Sequence, residues 1–238
     1  RSTLFPYTTL FRSTNFAATS WPKPETVYDT VSEAIRRGGN PGRSNSEKAR
    51  AAATDINETR VALAQLFHIS DPTRIVFALN ATDAINLALQ GMLKPGDHVI
   101  TSRMEHNAVT RPLAYLEDAG MLVTKVPTDP VRGAALDEIR NAIRPETKLV
   151  VMSHASNVTG TLNPIEKIGA LCREKGVPFM VDASQSAGAI PIDVVKMNID
   201  LLAFPGHKSL LGPTGTGALY VSEDRKSTRL NSSHTNLS

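Results

Sequence analysis

One cysteine, Cys172, stands in 238 residues. A single thiol excludes an internal disulfide framework and fits a reducing compartment, so a cytoplasmic location is expected. No apolar run approaches the roughly 20 residues that span a bilayer, and no membrane partner is expected. Internal repeats and low-complexity tracts are missing between residues 14 and 223. A basic stripe is missing too, once the termini are set apart. Residues 1–13 and 224–238 show neither helical nor strand periodicity, and both resemble translated sequencing-library adapters. They hold five basic residues, Arg1, Arg12, Arg225, Lys226 and Arg229, and one acid, Asp224. Setting them aside turns 26 basic and 23 acidic residues into 21 and 22, a net charge of −1. Electrostatics therefore give no case for nucleic acid or an anionic membrane. The biological part is expected to run from Thr14 to about Glu223, open at both ends. It is long enough to bury one substantial core.

Between those limits, short apolar runs alternate with helical patterns, which implies parallel strands joined by crossover helices. The expected strands are 74–79, 98–102, 121–126, 148–153, 178–182, 201–204 and 217–222, rich in Val, Ile, Leu and Phe. Such composition suits strands buried on both faces. The last follows its predecessor with almost no intervening helix, so an antiparallel course is open to it. Helices are expected over 46–67, 83–92, 137–143 and 165–175, the first with Ala52, Ile56, Val61, Leu63 and Leu66 near one face. Residues 14–41 read as an extended arm and a short helix, and residues 46–223 as the main domain.

The chemistry gathers where the strands end. Lys208 lies in Phe204-Pro205-Gly206-His207-Lys208, just past one run, and Asp182-Ala183-Ser184-Gln185 follows another. In open α/β sheets, ligands bind outside the carboxyl ends of the strands. An amine that burial makes nucleophilic, together with a carboxylate needing a cationic partner, suits pyridoxal phosphate. Gly206 allows a ligand close to the backbone, and residues 210–217 form an apolar, turn-rich enclosure. The Gly-His-Lys-Ser string lacks the upstream glycine of a Walker loop. Asp182 has a second reading as a helix cap. Gln185, three residues on, reaches the same pocket as a donor. Asn157 is either a ring-facing amide or a turn asparagine before Gly160, and His106 either a stacking, proton-shuttling imidazole or a polar loop residue. Asn80-Ala81-Thr82-Asp83 opens a helix, where backbone N–H groups and a hydroxyl suit a phosphate, although any cap looks similar. Cys172 falls on the apolar side of 165–175 with Ile165, Ile168 and Gly169, which makes it a small hydrophobe. No metal site is expected.

The order and spacing of five strings carry a resemblance: Ala17 to Pro24, Met104-Glu105-His106-Asn107, Ser153 to Thr161, Val181 to Gln185, and Gly206-His207-Lys208. From Asn15 to about Val221 the chain resembles class V aminotransferases, in the cysteine desulfurase and selenocysteine lyase branch. That resemblance implies an α/β architecture, the large domain of the pyridoxal phosphate-dependent transferase fold type I. Its seven-stranded sheet is mostly parallel, with an antiparallel last strand and helices on both faces. It implies Lys208 as the lysine that bonds the cofactor, Asp182 on the pyridine nitrogen and Gln185 near the phenolate oxygen. It places His106 on the ring, Asn157 beside it, and Ala81, Thr82 and His207 at the phosphate, with Lys208 and His106 as the catalytic pair. Relatives commonly carry serine or threonine where this chain has Pro205, which supplies neither hydroxyl nor N–H. The family's persulfide-forming cysteine and carboxylate-binding arginine are expected beyond residue 223, in a C-terminal small domain. The implied substrate is L-cysteine or L-selenocysteine, the implied assembly a homodimer, and a sulfur-acceptor protein an implied partner. Transamination, β-lysis and epimerisation remain open within the family, as does a non-catalytic homologue.

Overall fold

A computed structural model of the chain describes residues 18–42 and 45–223. Residues 1–17 and 224–238, with the adapter-like ends, lie outside the described residues. The helices are α1 (Glu25–Arg37), α2 (Glu47–Phe67), α3 (Ala81–Met92), α4 (Asn107–Asp118), α5 (Leu136–Ala142) and α6 (Ile165–Lys175). The strands are β1 (Ile75–Ala78), β2 (His98–Ser102), β3 (Leu122–Val126), β4 (Thr128–Asp129), β5 (Gly133–Ala134), β6 (Thr147–Ser153), β7 (Phe179–Asp182), β8 (Leu201–Pro205) and β9 (Gly217–Val221).

Seven strands form one sheet in the order β1-β9-β8-β7-β6-β2-β3, and β4 pairs with β5 in a small hairpin. Strands β8, β7, β6, β2 and β3 pair in parallel, while β9 runs antiparallel to both its neighbours. β1 is therefore parallel to the remaining five. The expected seven-stranded, mostly parallel sheet with an antiparallel last strand is what the chain forms.

Strand side chains alternate between two cores, as the two-residue period requires. On one face Val150, Met152, Phe179, Val181, Leu202 and Phe204 pack against Phe67 of α2, Ile139 of α5 and Ile168 and Cys172 of α6. On the other, Leu149, Val151, Met180, Leu201 and Ala203 pack against Ile85 and Leu89 of α3 and Val109 and Leu113 of α4. The Phe67 and Phe204 rings meet at 4.8 Å and 52°, a tilted pair joining α2 to the central sheet.

Three expectations are corrected. The apolar face assigned to α2 is only partly the buried one: Ala49, Ala64 and Phe67 are buried and Ala52, Ile56 and Leu63 partly so, whereas Val61 and Leu66 are 43% and 44% exposed. Helix α4 is absent from the expected elements, because Pro112 interrupts its pattern and its cap is a histidine. It nonetheless buries Ala108, Val109, Leu113 and Leu116. Helix α3 begins at Ala81, two residues ahead of the expected start, because Asn80 caps it: Asn80 Oδ1 accepts from Asp83 N at 2.9 Å.

Phe204→Ala removes one ring of the aromatic pair and opens a cavity beneath β8. It is expected to cost about 3–5 kcal/mol in urea unfolding, the range for a fully buried phenylalanine.

Candidate active site

Six parallel strands deliver their carboxyl ends to one edge, and five of the segments that follow converge there. One pocket is lined from the β1–α3 junction by Asn80, Ala81 and Thr82, and from the β2–α4 turn by Met104, His106 and Ala108. Ser153, Ala155, Ser156 and Asn157 come from the end of β6, Asp182, Ser184 and Gln185 from β7, and Pro205, His207 and Lys208 from β8. All eight residues singled out from the sequence therefore meet in one place.

Register explains the convergence. Ser153 pairs with Asp182 across β6 and β7, and Asp182 with Ala203 across β7 and β8. Asp182 is 3% exposed and accepts from Ser184 N at 2.9 Å and Ser184 Oγ at 2.5 Å. It opens a run of turns rather than capping a helix, which removes its second reading. Lys208 is partly buried, and its amine makes no hydrogen bond or ion pair to any described residue. Burial draws its pKa below the ordinary lysine value, against the opposing pull of Asp182. The site thus holds an unengaged amine opposite a buried carboxylate, the pairing that suits an electrophilic, cationic ring.

Around this pair, the remaining polar groups are held by local structure. His106 caps α4, its Nδ1 accepting from Ala108 N at 3.0 Å, which leaves Nε2 as the proton-bearing nitrogen. Asn157 is exposed in the turn that Ser156 Oγ organises by accepting from Val158 N at 3.2 Å, so it is both a turn residue and a pocket residue. At the α3 N-terminus the Ala81 and Thr82 amides precede the first intrahelical bonds and lie at the positive end of the helix dipole. Gly217 makes this junction possible: a Cβ there would sit 2.7 Å from the Asn80 backbone.

Gly206 is needed for Thr216, since a Cβ would sit 2.4 Å from Thr216 Oγ1. One detail of the lysine loop differs from expectation. Residues 210–217 do not enclose the pocket; Leu210 packs against the core, and Gly212 N donates back to Gly206 O at 2.8 Å. Pro205 closes β8 opposite Gly217, where the ladder ends and a missing N–H is tolerated.

The arm supplies contacts the sequence did not announce. The His207 carbonyl accepts from Thr19 Oγ1 at 3.0 Å, Ser20 N at 3.1 Å, Ser20 Oγ at 3.1 Å and Lys23 Nζ at 3.2 Å. Thr19 Oγ1 also lies 3.1 Å from His207 Nδ1. A hydroxyl whose proton goes to the carbonyl accepts from the ring, so Nδ1 carries the proton. Burial, then the charges of Lys208 and Lys23, hold His207 below the ordinary imidazole value.

The aminotransferase class-V profile matches residues 14–232. The chain belongs to the aminotransferase class-V family. Within that family it is 37% identical over 213 residues to the cysteine desulfurase IscS of Clostridium botulinum, covering 87% of this chain and 52% of that protein. It is 41% identical over 187 residues to cysteine desulfurase IscS of Vibrio campbellii, covering 77% and 46%. The solved structure of SspA in complex with cysteine superposes with a TM-score of 0.81 at 34% identity, covering 87% of this chain and 60% of that one. The chain spans about half the length of the curated relatives it matches.

Cys172 lies away from this class-V pocket. It is 1% exposed in α6, and burial followed by the Asp200 charge pushes its thiol up to about 12. A thiol-reactive dye is expected to leave the native chain unlabelled at neutral pH and to label one thiol after denaturation.

Proposed function

We propose that this chain is the cofactor-binding part of a pyridoxal phosphate-dependent cysteine desulfurase. Residues 14–45 serve as its arm and residues 46–223 as the large domain. The observation that carries this reading is the unengaged Lys208 amine facing buried Asp182 in one pocket. The residues present fit the cofactor. A lone amine suits its aldehyde, one carboxylate its ring nitrogen, and free helix N-terminal amides its phosphate.

When bound, pyridoxal phosphate supplies an electron sink for the substrate α-carbon. Lys208 would bond the aldehyde carbon, and its amine would move the substrate α-proton. Asp182 keeps the ring nitrogen protonated, and Gln185 donates to the phenolate oxygen. Ala81 and Thr82 would hold the phosphate through their amides, and His207 would join them on taking up a proton at Nε2. His106, with Nδ1 fixed by Ala108, would stack on the ring and keep Nε2 for proton transfer, and Asn157 would lie beside the ring.

The reaction converts L-cysteine and an enzyme thiol into L-alanine and an enzyme persulfide, the thiol being a residue other than Cys172. The names of the relatives support this choice over other class-V chemistries, and burial rules out Cys172 as the thiol. A homodimer fits the arm, where α1 buries no residue and Trp21, Tyr28 and Ile35 stay exposed. A cytoplasmic site of action and a sulfur-acceptor protein complete the reading. Among the described residues no helix is long and apolar enough to cross a membrane.

Adding pyridoxal phosphate to the purified chain is expected to produce the long-wavelength absorbance of a lysine-bonded cofactor. Lys208→Ala abolishes that band, and Asp182→Asn weakens binding by about tenfold to a hundredfold, the loss of one charge-assisted bond. A wild-type chain that gives no such band overturns the reading.

A further inference from the structure

Glu105 is partly buried beneath the pocket, yet none of the roles above uses it. Its Oε1 lies 2.5 Å from Ser102 Oγ at the end of β2. Its Oε2 accepts from Ser153 N at 2.8 Å and Ser153 Oγ at 2.6 Å at the end of β6. Ser102 Oγ in turn accepts from Met104 N at 3.2 Å. One carboxyl therefore joins two adjacent strand ends to the turn that presents Met104 and His106 to the pocket. Ser153 is also the register partner of Asp182, so two acids occupy neighbouring positions under one site.

We propose that Glu105 is a positioning residue of this site, a carboxyl group without a cationic partner that fixes the Met104–His106 turn to β6 and, while it holds its proton, leaves Asp182 as the single carboxylate facing the bound ring. This rests on the reading of the pocket as a pyridoxal phosphate site.

The charge argument follows from the surroundings. The groups around Glu105 are two hydroxyls, one backbone amide and a second acid; none is a cation. A carboxyl group buried without a cation holds its proton to higher pH than an exposed one. Burial first, and Asp182 in addition, push the acid up to about 7, while the Ser102 and Ser153 hydrogen bonds oppose them. The other titratable neighbours do not supply a compensating charge. His154, following Ser153, is held below the ordinary imidazole value by burial. His106, the next residue, spends Nδ1 on Ala108 N. Lys208, from the loop after β8, acts on Asp182. Were Glu105 ionised, two negative charges would lie under the ring, and the ring nitrogen and lysine linkage would titrate at higher pH.

Glu105→Gln and Glu105→Ala separate this role from plain packing. Without cofactor, the folded acid holds its proton to about pH 7, whereas the unfolded chain releases it near the ordinary value of 4.5. The folded state binds more protons across that window, so its stability falls as pH rises through it. The midpoint of thermal unfolding of Glu105→Gln, which cannot ionise, is expected to gain on wild type from about pH 5 to about pH 8. An unchanged gap overturns the proposal. With cofactor added, the wild-type absorbance is expected to show an inflection near pH 7 that Glu105→Gln lacks. Glu105→Gln should bind the cofactor within a few-fold of wild type, and Glu105→Ala about tenfold or more weaker. Wild-type affinity in Glu105→Ala, or the same inflection in Glu105→Gln, also overturns it. If no variant and not wild type binds the cofactor, the pocket reading fails, and the cofactor-free pH comparison still decides the state of Glu105.

Discussion

The parallel ladder of β6, β7 and β8 is the constraint on which the site depends. Its register sets Ser153 beside Asp182 and Asp182 beside Ala203, so the segments after these residues leave the sheet at one level. A slip of one residue would turn every side chain to the opposite face. Asp182 would then enter one of the two apolar cores, where a carboxylate without a partner is costly. The cores enforce the register in return, because Val150 and Met152 fill one face and Leu149 and Val151 the other. Hydrophobic packing on both faces thus fixes polar geometry at the edge.

That coupling explains which parts were legible from the sequence. The sheet was readable because strands buried on both faces are written as unbroken Val, Ile, Leu and Phe, and chemistry-bearing residues sit directly after such runs. The eight site residues share a pocket for that reason. Helix α4 was not readable: His106 is an unusual cap, and Pro112 breaks the pattern that Val109, Leu113 and Leu116 otherwise form. The buried face of α2 was misassigned at Val61 and Leu66 because small residues, Ala49 and Ala64, share it with Phe67. Residues 210–217 looked like an enclosure by composition, but their hydrogen bond to Gly206 folds them back along the sheet.

Contacts between distant segments were beyond single-sequence reading. Four donors from Thr19, Ser20 and Lys23 meet the His207 carbonyl across more than 180 positions of chain. One oxygen has two lone pairs, so four donors share them, and the energy exceeds that of a normal pair by less than the count suggests. Their value is geometric. The peptide after that carbonyl leads into Lys208, whose own amine has no tether among the described residues. Anchoring the backbone while leaving the amine free would hold Lys208 in place for its proposed role as a nucleophile without consuming its lone pair.

The same division of labour runs through the edge of the sheet. Groups that must stay available (the Lys208 amine, Nε2 of His106, the Ala81 and Thr82 amides) sit on segments whose neighbouring atoms are already bonded. Asn80 Oδ1 takes the Asp83 amide, His106 Nδ1 takes Ala108 N, and the arm takes the His207 carbonyl. Glu105 does this for the turn between β2 and α4, satisfying Ser102 and Ser153 while presenting nothing to the pocket itself. The serine hydrogen bonds favour the charged acid and burial the neutral one; while Glu105 keeps its proton it adds no field to compete with Asp182 at the position proposed to face the ring nitrogen.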